Sequence, residues 1–267
     1  MSLPVPRVRR FPSAINGRGL WTLFLRGFTR FLRFAVEGIG GTLVSALLFL
    51  AVFVFAWAGD SGPVPGGSFP AFVAPGIVAF SLTLNAYGNA AFPLIFDKLE
   101  GMIGDMLMAP LTPGELVAGY VLSAAAGGLI TGAAVLAALS LFVALPIPDP
   151  LLLLAYAVLG SLLFALMGFI TGLWAEKWDR YSAVETFLIL PLGLLSGTFF
   201  AIETLPPLGQ QIIQANPVFY LVDGLRGAVI GYSDTSPGLG LTVLAGLTGL
   251  FWLIAWRLVV RGYKIKS

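Results

Sequence analysis

Apolar residues along this chain gather into six long stretches from which charge is missing altogether. They cover residues 38–59, the whole interval between Asp60 and Asp97, and residues 116–148, 150–175, 186–202 and 235–256. Hydrocarbon cannot solvate a charge, and a helix of about 20 apolar residues crosses it. The pattern therefore predicts an all-α polytopic membrane protein. Its six spans are expected near 39–58, 72–96, 116–145, 151–174, 183–202 and 239–256.

Two shorter stretches alternate differently. Across residues 18–34, Arg18, Thr22, Arg26, Thr29, Arg30 and Arg33 share about a third of a helix circumference at 100° per residue. Leu20, Trp21, Leu23, Phe24, Leu25, Phe28, Phe31, Leu32 and Phe34 fill the rest. A basic stripe on an aromatic helix predicts a helix lying in the membrane interface, with Arg18, Arg26, Arg30 and Arg33 reaching lipid phosphate. The same pattern also fits a simple anchor with no part in transport. In the stretch 97–115, Leu99, Met102, Ile103, Met106 and Leu107 face one way. Asp97, Lys98, Glu100 and Asp105 face the other, and Pro110 and Pro113 stop the helix. It predicts a short cytoplasmic helix that docks on a partner or merely connects two spans.

Charge then orients the chain. Fourteen of the fifteen Lys and Arg fall on one side of a six-span arrangement, and only Arg226 falls on the other. Positive charge stays inside, so both termini are expected in the cytoplasm. Charged residues make up 10% of the 267, which would not clothe a soluble fold. The mean hydropathy is +0.93. Two regions are expected: a cytoplasmic N-terminus with its interfacial helix, residues 1–34, and one six-span domain, residues 35–267. Ala56-Trp57-Ala58 fits a small-x-small cleavage pattern, but the run before it is span length, so cleavage is not expected.

Candidate chemistry is sparse. Cys and His are absent, which removes the usual zinc and haem sites, thiol catalysis and His-based relays. No GxxxxGK[ST] loop is present, so ATP chemistry would have to come from another chain. Ser81, Asn85 and Asn89 share one face of the second span; they read either as a pathway or subunit contact, or as hydrogen bonding within one subunit. Glu185 is the sole acid near membrane depth, and helix N-terminal placement would explain it. Asp223-Gly224-Leu225-Arg226 has part of a DGxxAR phosphotransferase motif, but only Asp234 follows where further aspartates are needed. A local Asp223–Arg226 pair is expected instead.

These features together resemble the ABC type-2 exporter permeases. FVAPGIVAFSLTLNAYGN at 72–89, LMAPLTPGELVAGY at 107–120 and SGTFFAIETLPPLGQQIIQANPVFYLVDGLRGAVIG at 196–231 are similar to that family's most recognisable stretches. The resemblance implies a permease pairing with a second copy of itself and with two separate ATPase subunits. Those subunits would carry ATP and Mg, leaving this chain without a cofactor or nucleic-acid partner. It implies a bacterial inner-membrane location and an ATPase-coupling helix over 97–108. It also implies a re-entrant pair of outer helices over 205–222, marked by Pro206, Pro207, Asn216 and Pro217 and followed by Asp223 and Arg226. The family exports drugs, glycolipids or polysaccharides. Phe199, Phe200 and the pair Phe219-Tyr220 are suggestive of an aromatic lining. The alternative is an ion-coupled secondary transporter or a stand-alone membrane enzyme; both normally need deep ionisable groups, for which only Glu185 is a candidate.

Overall fold

The computed structural model describes residues 16–56, 68–200 and 202–263. Every regular element among them is helical. Helix α1 (Gly17–Arg33) and α2 (Ala35–Ala56) are followed by α3 (Phe69–Leu99), the short α4 (Ile103–Met108), α5 (Pro113–Ser140) and α6 (Pro150–Trp174). Then come α7 (Trp178–Val184), a π-helical turn (Glu185–Ile189) and α8 (Leu190–Leu194) in one continuous run. Helices α9 (Pro207–Gln214), α10 (Pro217–Ile230) and α11 (Pro237–Val260) complete the chain.

Among the described residues, five helices are long and apolar enough to span a membrane: α2, α3, α5, α6 and α11. The element expected as span five departs from the expectation over 183–202. It starts earlier, at Trp178, and ends earlier, at Leu194. At 1.5 Å per residue it reaches only about 25 Å. Pro191 explains its irregularity. Proline has no N–H to donate one turn back, so the preceding turn widens and Leu190 N–H donates to the Glu185 carbonyl five residues earlier. The helix then ends before Gly197, whose φ of +73° suits glycine.

Helix α3 is the central post, packed between α5 and α6. It comes unusually close to α6. A Cβ on Gly168 would collide with the Tyr87 carbonyl oxygen, and one on Gly172 would stand 3.1 Å from that of Ala91. Glycines one turn apart let two membrane helices meet backbone to backbone, where dispersion rather than water expulsion holds them. Two large clusters of buried side chains surround this post. The larger joins α3, α5, α6 and α10 around Phe164, Phe169 and Leu221; the smaller joins α2, α3 and α5 around Phe72, Val73 and Leu139.

The segment over 205–230 breaks where its prolines dictate. Pro207 and Pro217 stand at the first turns of α9 and α10, where a missing N–H costs nothing. Asn216 caps α10 by accepting from Val218 N–H at 2.9 Å. Its amide donates to the carbonyls of Leu192 and Leu195, at 2.7 and 3.0 Å, satisfying the end of α8. The second helix is longer than expected. It runs to Ile230, and Val218, Phe219, Leu221, Val222 and Leu225 are all buried. It lies against α3, α6 and α11, so its backbone is sheltered by protein.

Candidate functional site

Asp97 was expected to face a cytoplasmic partner; the structure buries it at 1% exposure. Its Oδ1 accepts from Arg26 Nη2 and Arg30 Nη2, both at 3.1 Å, and its Oδ2 accepts from Tyr120 Oη at 2.8 Å. Arg30 also donates to the Pro93 carbonyl at 3.4 Å and lies over the Phe96 ring. The expected lipid-facing stripe is thus divided. Arg26 and Arg30 turn inward to a carboxylate, because a buried Asp needs charged donors more than exposed arginines need lipid. Arg18 and Arg33 stay exposed.

Lys98 is buried too. Its Nζ donates to the carbonyls of Gly172, Leu173 and Ala175 at 3.3, 2.8 and 2.8 Å. Those groups end α6 and have no helical partner, so a lysine both satisfies them and meets the negative end of the helix dipole. Neither Asp97 nor Lys98 is therefore free to touch an ATPase. Glu100 is exposed, and Met108 is 74% exposed. Asp105 lies on α4, and its side chain is outside the described residues.

The loop that starts at Asp97 ends at a second clasp. Thr112 and Glu115 form a capping box at the start of α5: Thr112 Oγ1 accepts from Glu115 N–H at 3.3 Å, and Glu115 Oε2 from Thr112 N–H at 2.7 Å. Glu115 Oε1 also accepts from the Asn16 N–H, and Asn16 Nδ2 donates to the Pro110 carbonyl at 3.1 Å. Asn16 is the N-cap of α1. Helix α1 consequently holds both ends of the 97–115 loop, one through Arg26 and Arg30 and one through Asn16. Close packing supports it, since a Cβ on Gly27 would collide with Ser123 and one on Gly119 with Leu23.

Above this junction lies a cleft of about 800 Å³ between α1, α2, α3 and the α7–π-turn run. Ser81, Asn85 and Asn89 all line it, joined by Thr42 and Ser45 of α2 and by Tyr181 and Glu185. Asn85 Nδ2 donates to Thr42 Oγ1 at 3.3 Å and to the Ser81 carbonyl at 3.0 Å. Asn89 Nδ2 has no hydrogen-bond partner among the described residues. The three residues thus serve an interhelical bond and a polar lining at once. Phe199 and Phe200, grouped with them in the sequence reading, do not reach the cleft. Phe199 stacks on Phe53 at 5.2 Å, and Phe200 packs with Ile202, Ile213 and Phe219. The two rings pack among apolar side chains away from the asparagines.

Arg226 is fully buried, at 0% exposure. Its expected partner, Asp223, turns away to accept from Asp234 N–H, Thr235 N–H and Thr235 Oγ1 at 2.6, 2.9 and 2.6 Å. Arg226 pairs with Asp234 instead at 3.7 Å, donates to the Gly197 carbonyl at 2.6 Å and to that of Phe72 at 3.4 Å, and lies 3.8 Å from the Phe72 ring centre. Asp234 also accepts from Tyr232 Oη at 2.6 Å. Burial, and then that bond, push the Tyr232 phenol well above its usual range, so it keeps its proton and donates. This network ties α10, α3 and the turn after α8 together.

Helices long and apolar enough to cross a membrane, packed around a largely apolar cleft with a polar stripe, are the architecture of a polytopic membrane protein. The sequence profile of the ABC-2 type transporter family matches residues 18–230, so the chain belongs to that family. It is 30% identical over 248 residues to the inner membrane transport permease YadH of Escherichia coli K12, covering 93% of this chain and 97% of the relative. It is 28% identical over 261 residues to nodulation protein J of Rhizobium leguminosarum bv. viciae, covering 92% and 95%. Membership makes the chain a transport subunit rather than an enzyme, and association with an ABC ATPase goes with the family.

Proposed function

We propose that this chain is the permease of an ATP-driven exporter in a bacterial inner membrane, with both termini in the cytoplasm. Two ATPase subunits carrying ATP and Mg drive two copies of the permease, and the cleft is one half of the substrate path. The observation that carries this reading is the polar face of the cleft. Ser81, Asn85, Asn89, Thr42 and Ser45 stand among membrane-spanning helices, where polar side chains avoid lipid. The flanking helices are apolar toward the outside, with Phe187 at 81% exposure and Val52 and Phe55 also exposed. A second copy set against α2 and the α7–π-turn run would cover both the polar lining and those rings.

Energy would enter through the 97–115 loop. Its exposed members, Glu100 and Met108, suit contact with a partner. Its two ends are clasped by α1, whose Arg30 and Phe31 line the cleft. A push on the loop would move the floor of the path without unmaking the buried charges.

Purification of the chain with its co-purifying ATPase tests this. Lipid mass spectrometry of the bound material is expected to show a species that Asn85→Trp depletes while the assembly keeps its composition. Bound material unaffected by Asn85→Trp would rule out the cleft as the path. Because the native chain lacks Cys, a single Phe187→Cys is expected to cross-link two copies.

A further inference from the structure

We propose that the cleft selects amphiphilic organic cations, with Glu185 as the counter-charge and the surrounding aromatic rings as the cage. The proposal rests on the reading of the cleft as the substrate path. Among the described residues, two charged side chains line it, Arg30 and Glu185. The Arg30 guanidinium is committed to Asp97 at 3.1 Å and to the Pro93 carbonyl. Glu185 has no cationic side chain within ion-pair distance among the described residues.

Helix N-terminal placement does not account for this acid. The helix begins at Trp178, so Glu185 lies seven residues in, about 10 Å along the axis and beyond the first turn, where the dipole acts. Glu185 instead opens the π-helical turn that Pro191 imposes, partway along the run. Glu185 is half-buried and bonded to the Tyr181 hydroxyl, so what its carboxylate lacks is a counter-charge rather than a donor.

The remaining lining says what that positive group carries. Phe31, Phe49, Phe80 and Phe92 stand around the cleft, and Tyr181 lies one turn before Glu185 on the same face. Tyr181 is held in place by stacking on Tyr87, 5.8 Å between ring centres. Aromatic faces carry partial negative charge and attract cations, most strongly where water is excluded. Asn85 and Asn89 offer amides that suit either charge and add orientation rather than sign. About 800 Å³ admits a molecule of drug size. An anionic amphiphile of the same shape would meet Glu185 with like charge, and the one arginine in reach is already engaged.

Two ions of matched size and shape provide the test. Tetraphenylphosphonium and tetraphenylborate are titrated onto the full chain in lipid nanodiscs, with empty nanodiscs subtracted. Saturable binding is expected to favour the phosphonium by about tenfold. Glu185→Gln is expected to erase that preference, and Glu185→Asp, which keeps the charge, to retain it; this separates loss of charge from a packing defect. Asn85→Trp, which fills the cleft, is expected to abolish saturable binding of the phosphonium. Equal binding of the two ions, preference for the borate, absence of saturable phosphonium binding, or a preference that survives Glu185→Gln overturns the cation assignment. If Asn85→Trp still removes what binds, the path reading stands without it. If saturable binding is untouched by Asn85→Trp, both readings fall together.

Discussion

Asp97 shows how much one carboxylate can organise when its donors come from different helices. Arg26 and Arg30 reach it from α1 and Tyr120 from α5, while Asp97 itself ends α3. Removing it leaves two cations and a phenol facing one another in a buried site. Breaking a buried pair costs more than the pair contributes, and partial exposure of the two arginines moderates that cost. Asp97→Ala is therefore expected to destabilise the bundle by about 2–4 kcal/mol, read as a lowered melting midpoint in nanodiscs. Loss of function with an unchanged midpoint would mean that Asp97 acts in coupling rather than in folding. Gly168 is the opposite kind of residue, needed for what it lacks. Its missing Cβ lets the Tyr87 carbonyl approach, and the obstacle is backbone, which cannot rotate aside. Gly168→Ala is expected to cost about 1–3 kcal/mol through overpacking, whereas the same change at Gly246, where nothing lies within 4 Å, is expected to be silent or slightly stabilising.

Elements are joined here by end groups rather than by long shared faces alone. Lys98 closes α6, Asn216 closes α8 and opens α10, and Asn16 opens α1 while gripping the loop before α5. Asn216→Ala removes one cap and two donations at once. A loss of about 1–2 kcal/mol is expected, with faster hydrogen exchange in the 190–197 stretch as its local signature; exchange unchanged there would show that the α8 end is held by something else. The coupling loop supplies a second test. Asp97 is internal, so reversing its charge would damage the fold and say nothing about docking. Glu100→Lys combined with Asp105→Lys is the informative variant, and it is expected to weaken co-purification of the ATPase while leaving the melting midpoint alone. Each exposed pair is worth only about 0–1 kcal/mol, so single reversals are expected to do little. Normal assembly of the double variant would reduce the loop to a connector.

At the scale of the whole molecule, the ends of the helices sort by charge. Asn16, Asp97, Lys98 and Glu115 gather at one end of the bundle, where α6 finishes. Tyr156, near the start of α6, donates to the Pro237 carbonyl at 2.8 Å, so α11 begins at the opposite end and finishes, with Arg257 and Arg261, beside the first group. Under the positive-inside rule, that end is the one proposed to face the cytoplasm. Ser182 and Ser233 sit toward opposite ends, on α7 and on the turn between α10 and α11. Single cysteines at Ser233 and Ser182 are expected to react with an impermeant reagent from outside at Ser233 alone. Labelling of Ser182 in intact cells would reverse the topology.

The sequence by itself determined the class of architecture. Charge-free stretches mark where hydrocarbon must be, basic clusters mark where it ends, and Pro207 and Pro217 mark where helices must restart, because each is a local property of a side chain against a solvent or a backbone. The amphipathic reading of 18–34 and the shared face of Ser81, Asn85 and Asn89 were legible for the same reason: helical periodicity is written in spacing. What a charged residue pairs with was not legible. Arg26 and Arg30 read as lipid-facing, Asp97 as partner-facing and Asp223 as the mate of Arg226, and each assignment was decided by helices distant in sequence. Sequence spacing orders residues around one axis; it says nothing about which axis comes alongside. The widened turn at Glu185 was likewise hidden, since Pro191 signals a lost hydrogen bond but not how the neighbouring turns share the slack. The tertiary structure alone brought Thr42, Asn85, Tyr181 and Glu185 around one cleft, because a cavity is what several packed helices leave between them and belongs to none of them singly.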